Sequence, residues 1–279
     1  CRKTKEIAVV GMACRLPGAK NADEYWQNLL EGKETISFFK KDELESEIDQ
    51  ADIAHKDYVC AKGIIENCDQ FDAAFFGISP LEAKIMDPQQ RIMLQLAWLA
   101  LEDAGMTKEE QNLRIGVFAG MNWPRYFQQY VLNNKEVRET YGLFNASLAN
   151  ESAFLCSRIS HKLNLKGPSI NMFTACSTGL VAIAQACANI ESGECEAALA
   201  GGVSVSTPVK SGYIYQEGSM LSRDGHCRPF DINASGTTFN DGAGFVTLKR
   251  LDLAQQDGDI IHAIIKGYAV NNDGRNKAS

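Results

Sequence analysis

A chain of 279 residues, 45% hydrophobic and 23% charged, has the composition of a globular protein with room for a sizeable core. Its net charge of −7 argues against a nucleic-acid-binding protein, which usually presents a basic surface. No apolar run reaches the ~18 residues that a membrane span needs, and residues 7–10 are too short for the apolar region of a secretory signal. We therefore expect a cytoplasmic protein, and the absence of an initial Met predicts a piece of a longer one.

Short apolar runs alternate with helical patterns along the chain. Residues 6–14 predict a buried strand that ends at a glycine turn, and residues 21–32 predict a short capped helix. Further strands are predicted at residues 114–120, 169–173, 197–205, 244–249 and 260–270. Further helices are predicted at residues 87–105, 150–162 and 177–191, with a short one between the last two strands. This alternation predicts a layered α/β fold.

The helix at residues 87–105 carries start and stop signals. Asp87 is the expected N-cap and Pro88 the first helical residue, since a proline there loses no helical hydrogen bond. Gln90 stands at the position of a capping-box partner, and Gly105 is the expected C-terminal stop.

Nine cysteines are scattered through the sequence without a C-x-x-C pair. An odd number without such spacing argues against both a disulfide framework and a zinc site. We expect most of them to be reduced thiols that pack as small apolar side chains. They are Cys1, Cys14, Cys60, Cys68, Cys156, Cys176, Cys187, Cys195 and Cys227.

Cys176 differs because it falls between a predicted strand and the helix at residues 177–191. The first turn of a helix has unpaired N–H groups and a positive dipole end, which stabilise a thiolate and can hold an oxyanion. A candidate nucleophile and a core cysteine that happens to begin a helix both fit this position.

The helix after Cys176 is apolar on nearly every side, which predicts burial between two layers. One face repeats at helical spacing, and small residues fill most of the other. Gly179 lies inside the helix, where glycine is unfavourable, so we expect a neighbouring backbone to approach it closely. The repeating apolar face consists of Leu180, Ile183, Ala184, Cys187 and Ile190.

Five stretches together resemble the β-ketoacyl synthases of modular polyketide or hybrid polyketide/nonribosomal peptide synthases. In chain order they are IAVVGMACRLPGAKNADEYWQNLLEGKETI, FDAAFFGISPLEAKIMDPQQRIMLQLAWLALEDAG, TACSTGLVAIAQACANIESGECEAALAGGVSV, YQEGSMLSRDGHCRPFDINASGTTFNDGAGFVTLKRL and IKGYAVNNDGRNKAS. The resemblance implies a thiolase-like α/β/α/β/α layered sandwich, of which residues 1–279 would form the N-terminal part.

The resemblance also implies a reaction. Cys176 matches the nucleophile that takes an acyl chain from the phosphopantetheine arm of an acyl carrier protein, and its backbone N–H matches one oxyanion donor. Decarboxylative Claisen condensation with malonyl carrier protein follows. No cofactor or metal of the chain's own is implied. The implied partners are acyl carrier proteins, neighbouring synthase domains and a second copy of the chain.

The family's two catalytic histidines lie in motifs of the form H-G-T-G-T and N-I-G-H, and none of the four histidines here matches them. We therefore expect both motifs in a C-terminal part outside this chain, without which the enzyme would be incomplete. His226 is interpreted as a turn residue, and His161 lies near a predicted helix C-terminus, where a cation is favourable. Two alternatives stay open: a non-elongating acyl-transfer domain, and a thiolase-fold enzyme acting on coenzyme A thioesters.

Other positions bear on specificity only through the resemblance. Phe173 stands where many relatives carry an acidic residue. Met121, Asn122, Tyr215 and Met220 lie in stretches that line the acyl tunnel of relatives, although ordinary packing would explain each equally well.

Overall fold

A computed structural model describes residues 6–107 and 113–276. Cys1 and the end of the last matching stretch, residues 277–279, lie outside the described residues. The strands are β1 (Ile7–Arg15), β2 (Ser37–Phe38), β3 (Tyr58–Val59), β4 (Ala61–Lys62), β5 (Ile115–Met121), β6 (Ser169–Asn171), β7 (Ala197–Ser204), β8 (Tyr213–Ile214), β9 (Gly242–Arg250) and β10 (Ala263–Ile265). The helices are α1 (Ala22–Leu30), α2 (Gln50–Ala54), α3 (Pro80–Ile85), α4 (Pro88–Asp103), α5 (Lys135–Thr140), α6 (Leu143–Leu148), α7 (Leu155–Lys162), α8 (Thr178–Ser192) and α9 (Leu251–Asp257).

One six-stranded mixed sheet organises the fold, in the order β10-β1-β9-β7-β5-β6. β5 pairs in parallel with β6 and β7, whereas β7–β9, β9–β1 and β1–β10 are antiparallel. The carboxyl ends of β5, β6 and β7 therefore meet at one edge of the sheet. Two small ladders, β2–β4 and β3–β8, lie outside it.

Helices cover both faces of this sheet. α4 packs on β1, β7 and β9, and α7 packs beside it on β5 and β6. α8 lies on the opposite face, against β5, β7 and β9. The central strands are apolar on both faces: Val117 and Leu199 belong to the α4 cluster, and Phe118 and Ala198 to the α8 cluster. This confirms the predicted layered α/β fold. In the described part of the chain, no helix is long and apolar enough to cross a membrane.

The end signals predicted for α4 are confirmed except for one. Asp87 accepts a hydrogen bond from the Gln89 N–H at 2.8 Å, and Gly105 follows the helix with φ +66°. Gln90 is not a capping-box partner. Its side chain donates to Glu151 O at 3.1 Å and accepts from Arg158 Nε at 2.7 Å, because the buried start of α4 meets the segment that leads into α7.

Two predicted elements are shorter than expected. α7 begins at Leu155, after a 3₁₀ turn at Ser152–Phe154, because Asn150 is held elsewhere: its amide donates to Ile85 O and Ala146 O. β10 covers only Ala263–Ile265, since it pairs along one side with β1 over three residues. The other predicted strands and helices are confirmed to within two residues at each end.

A buried ion pair links β4 to the segments that follow β7 and precede β9. Lys62 Nζ lies 3.0 Å from Asp241 Oδ1, and both side chains are at most 5% exposed. Lys62 also donates to the carbonyls of Ser206 and Val209. Burial raises the pKa of Asp241, and the charge of Lys62 opposes that rise.

Replacing Lys62 with Met should destabilise the protein by about 3–5 kcal/mol, because Asp241 would remain buried without its counter-charge. Chemical denaturation measures the free energy of unfolding. Lys84→Met is the matched control, since its pair with Glu136 is more than half exposed on both sides and should contribute less than ~1 kcal/mol. Equal losses from the two variants would contradict the assigned role of the Lys62–Asp241 pair.

Candidate active site

Cys176 lies at the sheet edge where the parallel strands β5, β6 and β7 end. After β6 the chain crosses residues 172–174 and forms a 3₁₀ turn, Ala175–Ser177, which leads directly into α8. The Cys176 side chain is exposed. The structure thus places this thiol at a strand-to-helix junction, as the sequence predicts.

Side-chain hydroxyl groups stabilise the turn that carries Cys176. Thr178 Oγ1 donates to Ala175 O at 2.8 Å and accepts from the Thr174 N–H at 3.0 Å. Ser177 Oγ donates to Thr174 O at 2.8 Å. Between them, Ala175 adopts the left-handed region with φ +53°. That region is unfavourable for an L-residue with a Cβ, so the surrounding contacts must hold it there.

The backbone of the turn leaves a donor free beside the thiol. In residues 6–107 and 113–276, no group accepts a hydrogen bond from the Cys176 N–H. Unpaired N–H groups at the start of a helix are suited to an anion, and the dipole of α8 adds to that preference. The turn therefore presents an exposed thiol and an unpaired N–H group in the same residue.

The prediction that α8 is buried on every side is wrong for the described residues. Ala182, Ala186 and Cys187 are fully buried against the sheet, but Leu180 is 76% exposed. The sheet covers one side of the helix, and no described layer covers the other. Phe173, just before the turn, is 60% exposed.

Glycine is required at one position near the site, but that position is in β5. A Cβ at Gly120 would lie 2.0 Å from Met172 O and 2.6 Å from Thr178 Cγ2. The close approach predicted at Gly179 is wrong within the described residues, since a Cβ there would meet nothing within 4 Å. Gly120 therefore permits the tight packing of the Cys176 turn. A pattern within the helix could not indicate it, because Gly120 lies in β5.

Burial separates Cys176 from the other described cysteines. Cys68, Cys156, Cys187 and Cys195 are buried, and burial raises the pKa of Cys156 to about 12 and those of Cys187 and Cys195 to about 11. Cys176 is the one described cysteine that is exposed.

Burial also raises the pKa of three further cysteines, Cys14, Cys60 and Cys68. Cys14, Cys60 and Cys227 are half-buried, and the thiol of Cys227 lies 3.6 Å from the hydroxyls of Thr237 and Thr238.

Two of the four histidines lie beside carboxylates, and the other two lie at helix ends. His226 Nδ1 lies 2.8 Å from Glu34, and its backbone N–H donates to Asp224, which fits its interpretation as a turn residue. His262 Nε2 lies 3.2 Å from Asp103. His161 is in the last turn of α7, as predicted, and His55 caps the end of α2.

The four residues noted for a possible acyl tunnel, all within the described ranges, form no hydrogen bonds with one another. Met121 is buried at the end of β5, and the Asn122 N–H donates to Val203 O at 2.9 Å. Tyr215 stacks under the Arg223 guanidinium, whose carbon lies 5.2 Å from the ring centroid. Met220 is 64% exposed.

A buried glutamine also shapes this edge, and the sequence analysis did not single it out. Gln89 Oε1 accepts from the N–H groups of Asn122 and Val205, and Nε2 donates to Asn122 O at 3.2 Å. This side chain connects the ends of β5 and β7 to the start of α4. A glutamine in the first turn of a strongly apolar helix is the only sequence signal for it.

No group of three or more His, Cys, Asp or Glu side chains that could hold a metal ion occurs in the parts of the chain that the structure describes.

The comparison with protein families decides the assignment. The family described as "Beta-ketoacyl synthase, N-terminal domain" matches residues 4–254. The chain belongs to the β-ketoacyl synthase family. Its relatives include a phenolphthiocerol/phthiocerol polyketide synthase of Mycobacterium tuberculosis, 45% identical over 97% of this chain and 19% of that protein. "Pikromycin polyketide synthase component PikAII" of Streptomyces venezuelae is 38% identical over 96% of this chain and 7% of that protein.

Solved structures agree with the family. Ketosynthase twelve of the bacillaene polyketide synthase from Bacillus amyloliquefaciens is 38% identical, with a TM-score of 0.89 over 99% of this chain and 48% of that one. The ketosynthase from module 1 of the bacillaene synthase of Bacillus amyloliquefaciens FZB42 has a TM-score of 0.84 at 36% identity. The thiolase-like fold and the resemblance to polyketide ketosynthases are confirmed. The chain spans about half the length of the solved ketosynthases and under a fifth of its first curated relatives.

Gly120→Ala should destabilise this β-ketoacyl synthase chain by about 1–3 kcal/mol or more, because the new methyl group would collide with the backbone of the Cys176 turn. Gly179→Ala is the matched control. It meets open space and should be neutral or stabilising by up to about 1 kcal/mol. Thermal and chemical unfolding of both variants measure the difference, and a Gly120→Ala variant as stable as Gly179→Ala would refute the packing argument.

Proposed function

We propose that the chain is the N-terminal part of a ketosynthase domain in a polyketide assembly line, and that Cys176 is its nucleophile. The observation that carries this is the position of the one exposed described cysteine, at the start of α8 with a free backbone N–H. Membership of the β-ketoacyl synthase family supplies the class of reaction.

The first step is transfer of an acyl chain to the thiol. The Cys176 thiolate attacks the carbonyl carbon of an acyl thioester carried on a phosphopantetheine arm. The carbonyl oxygen becomes an oxyanion, and the Cys176 N–H donates to it. When the tetrahedral intermediate collapses, the carrier thiolate leaves with its electron pair and the acyl chain remains on Cys176. A thiolate suits both halves of the exchange, since it is a good nucleophile and a good leaving group.

The second step is condensation. Malonyl carrier protein loses carbon dioxide, and the resulting enolate carbon attacks the acyl–Cys176 carbonyl. The new carbon–carbon bond forms as the Cys176 thiolate leaves, and the product is a β-ketoacyl carrier protein. His226 and His262 are paired with Glu34 and Asp103, so neither is assigned to the decarboxylation. We assign it to residues in the part of the longer ketosynthases that this chain does not span.

The proposed partners follow from the same reaction. Acyl carrier proteins deliver both substrates, and the chain acts beside other domains of its synthase. A second copy is proposed at the β6 edge. β6 is the edge strand of the main sheet, and Ser169 and Ile170 are exposed on it, so its free side can pair with another strand. The cytoplasmic location stays a prediction of the sequence.

Brief treatment with an acyl thioester should acylate Cys176 ahead of the other thiols, since it is exposed and burial disfavours the thiolate in most of the others. Peptide mapping by mass spectrometry locates the acyl group. Cys176→Ala should abolish loading at that peptide without unfolding the protein, because the exposed side chain contributes little packing.

Cys227→Ala is the matched control, since Cys227 is half-buried and lies outside the proposed site. It should load as the unmodified protein does. Equal acylation of Cys60 or Cys227 in the unmodified protein would refute the assignment of Cys176.

A further inference from the structure

We propose that Thr178 is a positioning residue, whose hydroxyl group holds the Cys176 N–H where it meets the oxyanion. This inference rests on the proposed function of Cys176 and adds a second residue to its site. Thr178 does not touch the reacting atoms in this scheme, and it acts through the turn that precedes α8.

The hydroxyl group of Thr178 closes the turn from both sides. It accepts a hydrogen bond from the Thr174 N–H at 3.0 Å and donates one to Ala175 O at 2.8 Å. The Thr178 N–H also donates to Ala175 O. Ala175 O and the Cys176 N–H belong to the same peptide group. The two hydrogen bonds that hold Ala175 O therefore also fix the Cys176 N–H, which lies on the opposite side of that planar group.

The turn needs such support because Ala175 has φ +53°. The left-handed region is unfavourable for a residue with a Cβ, so without the two hydrogen bonds the turn would relax toward ordinary conformations. Relaxation would rotate the peptide group between Ala175 and Cys176 and move its N–H away from the position of the oxyanion. The thiol would stay exposed on the same surface.

The methyl group of Thr178 has a separate role, which is to pack against β5. A Cβ built on Gly120 would lie 2.6 Å from Thr178 Cγ2, so the methyl group packs directly on the backbone of β5. Contact with the strand and the stiffness of a β-branched side chain fix χ1 and direct the hydroxyl group into the turn. Serine at this position would keep the hydroxyl group, whereas valine would keep the branched shape and lose it.

Two reactions of Cys176 separate positioning of the N–H from exposure of the thiol. Acyl transfer from acetyl- or hexanoyl-N-acetylcysteamine passes through an oxyanion, and alkylation by iodoacetamide does not. In the purified protein, Thr178→Val should slow acylation of Cys176 by about 10²-fold, comparable to losing one oxyanion donor, and leave alkylation nearly unchanged. Thr178→Ser should restore most of the acylation rate.

Ser177→Ala is the matched control for loss of a hydroxyl group in the same turn. Ser177 Oγ bonds Thr174 O and Thr174 Oγ1 but not the peptide group of Cys176, so acylation should fall much less than in Thr178→Val. Melting temperatures of all variants show whether unfolding contributes. A variant that merely unfolds would change both reactions together.

Each possible result either supports or overturns the role of Thr178. Slow acylation with normal alkylation in Thr178→Val, and recovery in Thr178→Ser, supports the positioning role. If the unmodified protein is acylated at Cys176 and Thr178→Val is acylated as fast, or both reactions fall equally, the role of Thr178 is overturned and the proposed function stands. If the unmodified protein is not acylated at Cys176 by either thioester, the proposed function fails and this inference fails with it.

Discussion

Close contact between the start of α8 and the ends of the central strands is the constraint on which the site depends. A Cβ at Gly120 would overlap the backbone at Met172 and would lie 2.6 Å from Thr178 Cγ2. Glycine at this position of β5 thus lets the start of the helix and the segment before it pack directly on the strand backbone. Because this contact leaves so little space, the chain must turn sharply after β6, and the sharp turn presents Cys176 at the edge.

The opposite face of the sheet is arranged to keep that edge rigid. Gln89 connects the ends of β5 and β7 to the start of α4, and it is only 1% exposed. The Asn171 side chain accepts from the Cys156 N–H at 3.0 Å, which connects the end of β6 to the start of α7. All three parallel strands therefore end in side-chain hydrogen bonds on the α4–α7 side.

Periodicity and end signals in the sequence predicted most of the strands and helices, since buried strands and capped helices have strong local patterns. The Cys176 junction was predictable for the same reason. The role of Gln90 was not, because a buried side chain bonds whichever tertiary neighbour is present. The left-handed conformation of Ala175 was not predictable either, since an alanine carries no local signal for φ +53°. Leu180 was predicted to be buried because a helical pattern shows which face is apolar, although it does not show what covers that face.

The distribution of cysteines also determines how oxidation would affect this protein. Sulfenic acid and mixed disulfides form fastest at accessible thiolates, whereas buried thiols react slowly. Among the described cysteines Cys176 alone is exposed, and the thiols of the core are shielded by the same packing that stabilises the fold. Oxidants therefore reach Cys176 long before they reach the core. A preparation exposed to air would be oxidised at Cys176 while keeping its fold and its melting temperature, and a reductant would restore the thiol as long as oxidation had stopped at the sulfenic acid or disulfide.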